Sequence, residues 1–275
     1  MVRDREPLLR KLAASDTAAA LELSTEAGWN QTENDWRRLF DLSSEGCLAI
    51  DVAGEVVATA TMVAYGRPLA WIGMVLTRKT YRGRGFARRL LNEVLRLADI
   101  LGIESVKLDA TDQGKPLYEK LGFRSEQTVE RWECEKVAVA GVAVPPMSLP
   151  AAAFSYDQFA FGANRSTLLQ SLAKSNPPVV LNNSYAMTRT GRVSEYVGPS
   201  IAESGEAARR VITSVLASNA GRSCYWDLLP ANTMAVRLAR EFDFAPKRHL
   251  TRMVRGHDLR QNEQQTYALA GFEFG

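Results

Sequence analysis

The chain has 275 residues, of which 46% are hydrophobic and 24% charged, and its formal net charge is +3. This composition is that of an average globular protein and excludes a disordered, collagen-like or coiled-coil chain. So small a net charge does not by itself indicate a nucleic acid or a membrane as partner, and the length allows two domains of roughly 100–200 residues each.

Strands and helices alternate through the first part of the chain. Residues 69–77 are almost continuously apolar, as in a buried central strand. After position 85 the apolar residues recur at helical spacing, with charged residues on the opposite face. We predict strands at 6–14, 47–51, 55–64, 69–77, 105–110 and 123–134, and helices at 16–26, 35–42, 86–101 and 114–121.

A stretch without charged residues, 137–156, separates this part from the rest and has the length of a membrane-spanning helix. Pro145, Pro146 and Pro150 interrupt it, and each of them removes a helix hydrogen bond. We therefore predict a proline-rich linker at 138–152 and no contact with a membrane.

The same order of elements returns after the linker. We predict strands at 192–198, 224–229 and 244–254, helices at 204–216 and 232–242, and an apolar edge strand at 266–275. Gly85 and Phe123 are 38 positions apart, and Gly205 and Phe244 are 39 apart. The chain is interpreted as two divergent copies of one α/β fold with a mixed central sheet, the alternative being that αβ units share these lengths by chance. The two domains and the linker are predicted at 1–137, 153–275 and 138–152.

Metal and disulfide sites are not expected. Cys47, Cys134 and Cys224 lie far apart without a C-x-x-C pair, and His249 and His257 have no cysteine nearby. The N-terminal residues mix both signs of charge and lack a continuous apolar core, so we expect no signal peptide and a cytoplasmic protein.

The sequence Arg82-Gly83-Arg84-Gly85-Phe86-Ala87 joins a predicted buried strand to a long predicted helix. A helix N-terminus offers unpaired N–H groups and the positive end of the helix dipole to a phosphate. The two glycines permit backbone angles that turn N–H groups inward, and they leave room for a pyrophosphate. Between Arg78 and Arg89 there are six basic residues and no acidic one. We predict a phosphate-binding loop, the alternative being a glycine-rich turn with solvated arginines.

Two familiar phosphate motifs do not fit this loop. The chain has no G-x-x-x-x-G-K-[ST], which excludes a P-loop NTPase. A dinucleotide-binding fingerprint needs a third glycine, and Arg88 stands in its place.

Arg82, Gly85 and Ala87 form an R-x-x-G-x-A motif, and Leu117-Tyr118-Glu119-Lys120-Leu121-Gly122-Phe123 follows further along the chain. Together the two motifs resemble those of the GCN5-related N-acetyltransferases (GNATs), over residues 5–134. The resemblance implies acetyl-CoA as the cosubstrate, with its pyrophosphate on the backbone amides of the loop. It also implies that the preceding strand separates from its neighbour and pairs through its backbone with the pantetheine arm. The residues at that strand end are Val75, Leu76 and Thr77.

The resemblance also supplies candidates for the chemistry. Direct transfer from a thioester to an amine needs a neutral amine, a donor for the oxyanion and a proton for the leaving thiolate. Tyr118 lies where many GNATs keep a tyrosine that acts as general acid, and a backbone N–H near Val75 is the candidate oxyanion donor. The alternative for Tyr118 is packing of its helix onto the sheet. Thr111 departs from the family pattern, in which asparagine is common at this position, and this puts one CoA contact in doubt.

The first helices border the acceptor pocket in GNATs. Trp29, Asn30 and Asp35 are the candidate contacts for a small-molecule or amino-acid-like amine, because aromatic and amide groups suit a small polar molecule. Glu26, Glu33 and Asp35 are all candidates for a general base, and a bound water is the alternative. No Ser-His-Asp or Cys-His arrangement is evident, so a covalent route is not expected.

The second copy lacks both the arginines of the predicted phosphate-binding loop and the candidate general acid. Its loop, residues 198–206, has no arginine, and Glu203 and Glu206 stand where a pyrophosphate would be repelled. Ala239 takes the place of Tyr118. This half resembles the degenerate domain of tandem GNATs, which implies packing, formation of a homodimer or closure of the acceptor pocket.

We therefore expect an acetyl-CoA-dependent N-acetyltransferase whose first domain is active and whose partner is a small-molecule amine. A non-catalytic acyl-CoA-binding module is the alternative. A nucleic-acid binder that uses the basic cluster at 78–89 would need interleaved aromatic residues, and only Tyr81 and Phe86 are present. We expect neither a nucleic-acid partner nor a metal cofactor.

Overall fold

The computed structural model describes residues 6–139, 145 and 147–275 of the chain. We call residues 6–139 the first half and residues 147–275 the second half. No helix in the described residues combines the length and the apolar character needed to cross a membrane.

The elements follow one another in the order that a duplicated αβ unit requires. The first half contains β1 (Leu8–Lys11), α1 (Thr17–Glu26), α2 (Glu33–Ser43), β2 (Leu48–Val52), β3 (Glu55–Tyr65), β4 (Leu69–Thr77), α3 (Phe86–Ile100), β5 (Ser105–Ala110), α4 (Lys115–Lys120) and β6 (Arg124–Cys134). The second half contains α5 (Ala151–Phe161), α6 (Ser166–Ser175), β7 (Val179–Leu181), β8 (Ser184–Arg189), β9 (Glu195–Ile201), α7 (Gly205–Ala217), β10 (Cys224–Leu228), α8 (Thr233–Glu241), β11 (Ala245–Gly256) and β12 (Thr266–Ala268).

One mixed sheet runs through both halves, in the order β1-β2-β3-β4-β5-β11-β6-β10-β9-β8-β7, with β12 paired to β9. The halves exchange strands, since β11 lies between β5 and β6 while β6 lies between β11 and β10. The register of the exchanged strand β11 on β5 pairs Thr251 with Ala110. Each half therefore completes the hydrogen-bond ladder of the other, and separating them would expose unpaired backbone groups.

Helices cover both faces of this sheet. On one face α3 packs on β2, β3 and β4, with Leu90, Leu91 and Val94 fully buried. On the other face Trp36 of α2 belongs to a core that also takes side chains from α5 and α6 of the second half. Each of these buried apolar side chains contributes about 1.5–3 kcal/mol to stability, so the position of α3 is firmly set.

Predicted and observed elements agree where the local signal is strong. β4 and β5 span the predicted residues, 69–77 and 105–110. The turn between β2 and β3 has positive φ angles at Ala53 (56°) and Gly54 (91°), as a two-residue hairpin requires. α7 lies within the predicted helix 204–216 apart from its last residue, and Ser204 caps it, because the Ser204 hydroxyl accepts a hydrogen bond from the Ala207 amide.

The elements α5, α6, β7 and β8 are absent from the sequence-based prediction. α5 begins at Ala151, inside the predicted linker 138–152, and Pro150 is its N-cap. Residues 140–144 and 146 of that linker lie outside the described residues. The sequence of α5, AAAFSYDQFAF, is apolar on several faces, so it lacks the alternation of apolar and polar residues that would indicate a helix.

The predicted edge strand at 266–275 is correct only as far as Ala268. The residues beyond it fold over the first half, where the Tyr65 hydroxyl donates a hydrogen bond to the Phe274 carbonyl (2.8 Å). Trp71 Nε1 likewise donates to the Phe272 carbonyl (2.9 Å). Phe274 is fully buried, because this apolar segment finds a core against the first half instead of an open sheet edge.

Candidate functional site

A cleft of about 790 Å³ opens where β4 separates from β5. The two strands pair only through Leu69–Trp71 and Ser105–Lys107, and the rest of β4 has no register with β5. The end of β4 therefore carries backbone groups on that side that no strand satisfies. Val75, Leu76 and Thr77, the predicted pantetheine contacts, all line the cleft.

A bulge in β4 shapes the middle of the cleft. The register with β3 shifts between the pairs Thr61–Gly73 and Thr59–Leu76. Met74, at this shift, has φ +49°, a left-handed conformation that is uncommon for a residue other than glycine. Its carbonyl accepts a hydrogen bond from Thr59 Oγ1 (2.8 Å), which holds the bulge in place.

The loop before α3 has the shape of a phosphate cradle. Gly83 (φ +78°) and Gly85 (φ +82°) are both in the left-handed region, and a Cβ added to either would meet no heavy atom within 4 Å. α3 begins at Phe86 with no side-chain cap on its first-turn amides, which an α-helix leaves without partners. Open space, uncapped amides and a helix N-terminus fit a pyrophosphate group.

The two arginines of this loop are not neutralised by any carboxylate of the described residues. Arg82 donates to the Thr77 carbonyl (3.2 Å), and Arg84 lies over the Tyr81 ring, 4.9 Å from its centroid. Neither arginine forms an ion pair with a described residue, whereas Arg78 next to them pairs with carboxylates. The loop therefore attracts an anion.

Eight of the nine predicted cofactor contacts line the cleft, and the exception is Arg84. Arg84 points its guanidinium onto the aromatic ring of Tyr81 instead. The contacts that line the cleft are Val75, Leu76, Thr77, Arg82, Gly83, Gly85, Phe86 and Ala87.

Tyr118 lies on α4 and lines the same cleft as the loop residues. Its ring packs edge-on against Phe123, with the centroids 6.0 Å apart. Burial raises the pKa of Tyr118 well above its usual value, so the hydroxyl keeps its proton at neutral pH. No described group hydrogen-bonds to that hydroxyl. The ring thus fills the packing role, while the hydroxyl stays available to a ligand.

A second, smaller pocket of about 40 Å³ adjoins the cleft, and Trp29, Met74 and Thr111 line both. The remaining walls come from Gln31 and from four residues of the second half, Arg248, Leu250, Phe272 and Glu273. Of the predicted acceptor contacts, Trp29 lies here. The second-half residues have no local signal in the sequence, because they reach the pocket only through the exchange of β11 and the folding back of the C-terminus.

Asn30 and Asp35, also predicted as acceptor contacts, line neither the cleft nor the pocket. The Asn30 side chain bridges the two halves: it donates to the Ser194 carbonyl (2.9 Å) and accepts from the Val193 amide (2.8 Å). Asp35 accepts from the Thr32 amide and forms ion pairs with arginines of both halves. These contacts give both side chains a structural role, so we do not carry them into the proposed site.

The three candidates for a general base lie in different places. Glu26 lines the cleft and accepts a hydrogen bond from the Lys79 amide (3.0 Å). Glu33 pairs with Arg37 on the exposed face of α2, and Asp35 is buried.

In the second half, the chain itself fills the place that corresponds to the cleft. β12 pairs with β9, and the Leu269 amide donates to the Asp227 carbonyl of β10 (2.8 Å). A Cβ on Gly198 would lie 2.0 Å from the Leu269 carbonyl oxygen. The first turn of α7 is capped by Ser204, and Met234 packs against Gly205. A pyrophosphate and a pantetheine arm find no comparable space there.

Comparison with known proteins gives a consistent result for both halves. Residues 15–123 match the acetyltransferase (GNAT) family, and residues 153–268 match an acetyltransferase (GNAT) domain. The uncharacterized N-acetyltransferase YitH of Bacillus subtilis is 26% identical over 229 residues, which cover 78% of this chain and 79% of that protein. A glucosamine 6-phosphate N-acetyltransferase of Trypanosoma brucei brucei is 30% identical over 80 residues, 27% of this chain and 54% of that protein.

Solved structures share the whole architecture. A crystal structure from Pyrococcus horikoshii superposes with a TM-score of 0.88 at 19% identity and covers 100% of this chain and 98% of its own. A tandem GNAT protein from the clavulanic acid biosynthesis pathway superposes with a TM-score of 0.63 at 12% identity, over 91% of this chain and 98% of its own. At these identities the likeness concerns the fold.

Proposed function

Because the chain belongs to the acetyltransferase (GNAT) family and is an N-acetyltransferase, we propose that its first half transfers an acetyl group from acetyl-CoA directly to the amine of a small molecule. The proposed domains are residues 1–137 for acetyl-CoA and 153–275 for closing the acceptor pocket. Acetyl-CoA, which GNAT proteins use, supplies the activated acetyl group.

One observation carries the assignment to the first half. The cradle before α3 is open, uncapped and positively charged, with Gly83 and Gly85 free of any neighbour within 4 Å of an added Cβ. The corresponding place in the second half is filled by β12 and Leu269. A ligand with a pyrophosphate therefore has one place to bind among the described residues.

Different residues of the first half bind different parts of acetyl-CoA. The first-turn amides of α3 and the amides of the glycine loop hold the pyrophosphate, and Arg82 offsets its charge. The end of β4, which is not paired with β5 beyond Trp71, offers the backbone groups of that side to the pantetheine arm as an added strand.

Tyr118 and Val75 serve the reacting groups. The Tyr118 hydroxyl is protonated at neutral pH and has no hydrogen-bond partner among the described residues, so it donates its proton to the departing sulfur. The proton that the attacking amine loses when the amide forms restores the hydroxyl. The Val75 N–H, beside the bulge at Met74, donates a hydrogen bond to the oxygen that becomes negatively charged.

The second half serves the same site from the other side. Arg248, Leu250, Phe272 and Glu273 form walls of the pocket next to the cleft. The exchange of β6 and β11 keeps these walls rigid relative to the first half, since both strands are paired on both sides. A rigid wall helps to orient an acceptor for attack.

The proposal is tested by CoA titration of the full chain in two paired variants. Replacing both Arg82 and Arg84 by alanine should weaken CoA binding about tenfold or more, since the loss of the Arg82–phosphate contact costs on the order of 1.4 kcal/mol and the loss of Arg84 removes a second nearby positive charge. Replacing both Glu203 and Glu206 by glutamine should leave the affinity within about twofold. Equal effects of the two double variants would overturn the assignment to the first half. Thiol release with a panel of amines separates an enzyme that turns over from a module that only binds acyl-CoA.

A further inference from the structure

We propose that the acceptor is an amino acid, whose carboxylate is bound by Arg248 of the second half and whose amine donates to Gln31 Oε1. This inference rests on the proposed function, because it names the substrate class of the same site. It follows from the count of charges around the small pocket and from two buried polar atoms there that have no partner.

The charges around the pocket do not balance, because the half-buried Arg248 adds to a buried group that holds equal numbers of arginines and carboxylates. The buried group consists of Arg38, Arg131, Arg189, Asp35, Asp227 and Glu273. Asp35 pairs with Arg38 and Arg189, Glu273 pairs with Arg189, and Asp227 pairs with Arg131. Arg248 has no ion pair within the described part of the chain, so one positive charge is left over.

The left-over charge results from the register of two strands. Arg248 on β11 lies directly opposite Arg131 on β6. Asp227 binds Arg131 in a bidentate manner, with Nε–Oδ1 and Nη2–Oδ2 distances of 2.7 Å. Both guanidinium groups lie over the Phe272 ring, with Arg131 Cζ 4.6 Å and Arg248 Cζ 5.3 Å from its centroid. Arg248 Nε is buried without a hydrogen-bond partner.

Arg248 stays charged in spite of this environment. Burial and the neighbouring Arg131 lower the pKa of Arg248 to about 10, which leaves the guanidinium protonated at neutral pH. The buried Nε of this half-buried cation has neither solvent contact nor a partner among the described residues, which is costly, and a guanidinium matches the planar, two-oxygen geometry of a carboxylate. An anionic group of the ligand therefore completes the site.

The second unpartnered atom is an acceptor. Gln31 is 5% exposed, and its Nε2 donates to Glu273 Oε2 (3.0 Å), while its Oε1 has no partner. Gln31 Oε1 thus offers a place for an N–H of the ligand. An anion site and an N–H acceptor in one small pocket match a molecule that carries a carboxylate and an amine close together.

The position of the pocket fits transfer to that amine. The pocket meets the cleft at Trp29, Met74 and Thr111. A molecule held at Arg248 therefore has its free end toward the bulge of β4, where the proposed Val75 donor lies.

Carboxylate and phosphate both bind arginine, and the pocket favours the carboxylate. Glu273, 2% exposed, lines the same pocket as Arg248. Its negative charge repels a phosphate dianion more strongly than a carboxylate monoanion. The pocket of about 40 Å³ is also suited to a small group.

The test measures thiol release by the full-length chain with matched amines: the L-amino acids, the corresponding amino-acid amides, and O-phosphoethanolamine beside ethanolamine. We expect a KM at least about tenfold lower for the preferred amino acid than for its amide, as the loss of one charged hydrogen-bonded contact predicts. Arg248→Gln should abolish this preference and leave the KM for acetyl-CoA unchanged, and Arg248→Lys should restore part of it. Arg260→Gln, which removes an exposed arginine paired with Asp258, is the matched control and should behave as the wild type.

Three results would overturn the inference: equal use of amino acids and amides, an unchanged preference in Arg248→Gln, or a clear preference for O-phosphoethanolamine. A ligand-binding readout keeps this failure separate from failure of the proposed function. The preferred amino acid should raise the melting temperature of the wild type and not that of Arg248→Gln. If CoA binds but no amine releases thiol, the proposed function fails, and the rise in melting temperature then decides the inference by itself. A rise with the wild type alone supports the carboxylate site, and the lack of a rise overturns it.

Discussion

Arg131 and Arg248 lie opposite each other on neighbouring antiparallel strands, and only Arg131 has a carboxylate partner. Two like charges at directly opposed positions destabilise a sheet, and here both are contributed to one buried region between the halves. The chain thus keeps an unfavourable charge at the wall of its small pocket, where an acidic ligand would relieve it.

Replacement of each of these arginines by methionine should affect the free energy of unfolding differently. Arg131→Met leaves the fully buried Asp227 without its partner and should cost about 3–5 kcal/mol. Arg248→Met removes an unpaired charge and keeps the apolar stem, so the free energy of unfolding should stay the same or rise. Urea unfolding of the full chain measures both. A loss of stability in Arg248→Met equal to that in Arg131→Met would mean that Arg248 has a partner.

The glycine loop gives a second prediction, with a control elsewhere in the chain. Gly85 (φ +82°) and Gly221 (φ +80°) have the same backbone conformation, and an added Cβ has open space at both. Gly85→Glu and Gly221→Glu should therefore carry a similar backbone cost, about 1–3 kcal/mol. Only Gly85→Glu brings a carboxylate to the cradle, so it should weaken CoA binding at least about tenfold while Gly221→Glu leaves it unchanged. Similar losses in a CoA titration would attribute the effect to the backbone alone.

Tyr118→Phe should separate the proton donor from the packing residue. The variant keeps the ring that packs on Phe123, so melting temperature and the KM for acetyl-CoA should stay close to the wild type. The kcat should fall about 100-fold, since general acid catalysis contributes factors of this order. Tyr156→Phe, on α5 away from the cleft, is the control.

The pH dependence of kcat gives a further test of the general-acid role of Tyr118. Because burial raises the pKa of Tyr118 above its usual value near 10, the wild-type kcat should show no loss from Tyr118 ionisation below pH 10. The deficit of Tyr118→Phe should therefore be constant from pH 7 to about pH 9. Full activity of the variant across this range would exclude the general-acid role.

The C-terminal segment should behave as core. Phe274 is fully buried against the first half, whereas Phe159 on α5 is 66% exposed. Phe274→Ala should lower the free energy of unfolding by about 3–5 kcal/mol, and Phe159→Ala should change it by less than about 0.5 kcal/mol. Equal and small effects in urea unfolding would mean that the segment is not docked in solution.

Alkaline pH should destabilise the chain through its buried thiols. Burial raises the pKa of Cys47 and of Cys224 to about 12, whereas both ionise near their ordinary values in the unfolded chain. The unfolded state therefore holds fewer protons between pH 9 and 12, and the stability present below pH 9 is lost as the pH rises through this window. Urea unfolding at pH 8, 9.5 and 11 measures the decline, and a flat profile would contradict it. Cys47→Ala should reduce the slope.

The cradle could be predicted because all of its parts lie close together in the sequence. The strand 69–77, the glycine loop and α3 follow one another directly, and the helix shows its apolar face in its own periodicity. The left-handed conformation of Gly83 and Gly85 could be predicted as well, because the turn that leads into the helix N-terminus needs a positive φ at both. Tyr118 could be identified from a sequence motif. It lies in the cleft because it belongs to α4, the short helix after β5.

The small pocket beside the cleft could not be predicted in the same way. Gln31 and Glu273 are 242 positions apart and hydrogen-bond in the pocket, and Arg248 enters through a strand inserted into the other half. An apolar alternation predicts a strand and its buried face, but it carries no information about which strand becomes the neighbour. For the same reason the polar residues Asn30 and Asp35 resembled ligand contacts, although their buried partners lie in the second half.

What the sequence determined by itself is the local part of this protein: two copies of an αβ unit, a glycine loop with its arginines before the long helix of the first copy, and the absence of those arginines from the second copy. The tertiary structure alone decided that the halves exchange β6 and β11, that β12 and Leu269 fill the second cleft, and that Arg248 has no carboxylate partner. The physical reason is the separation along the chain of the residues that interact. Helix periodicity and turn conformation arise from residues a few positions apart, whereas strand pairing and the balance of buried charges depend on residues that only the folded chain brings together.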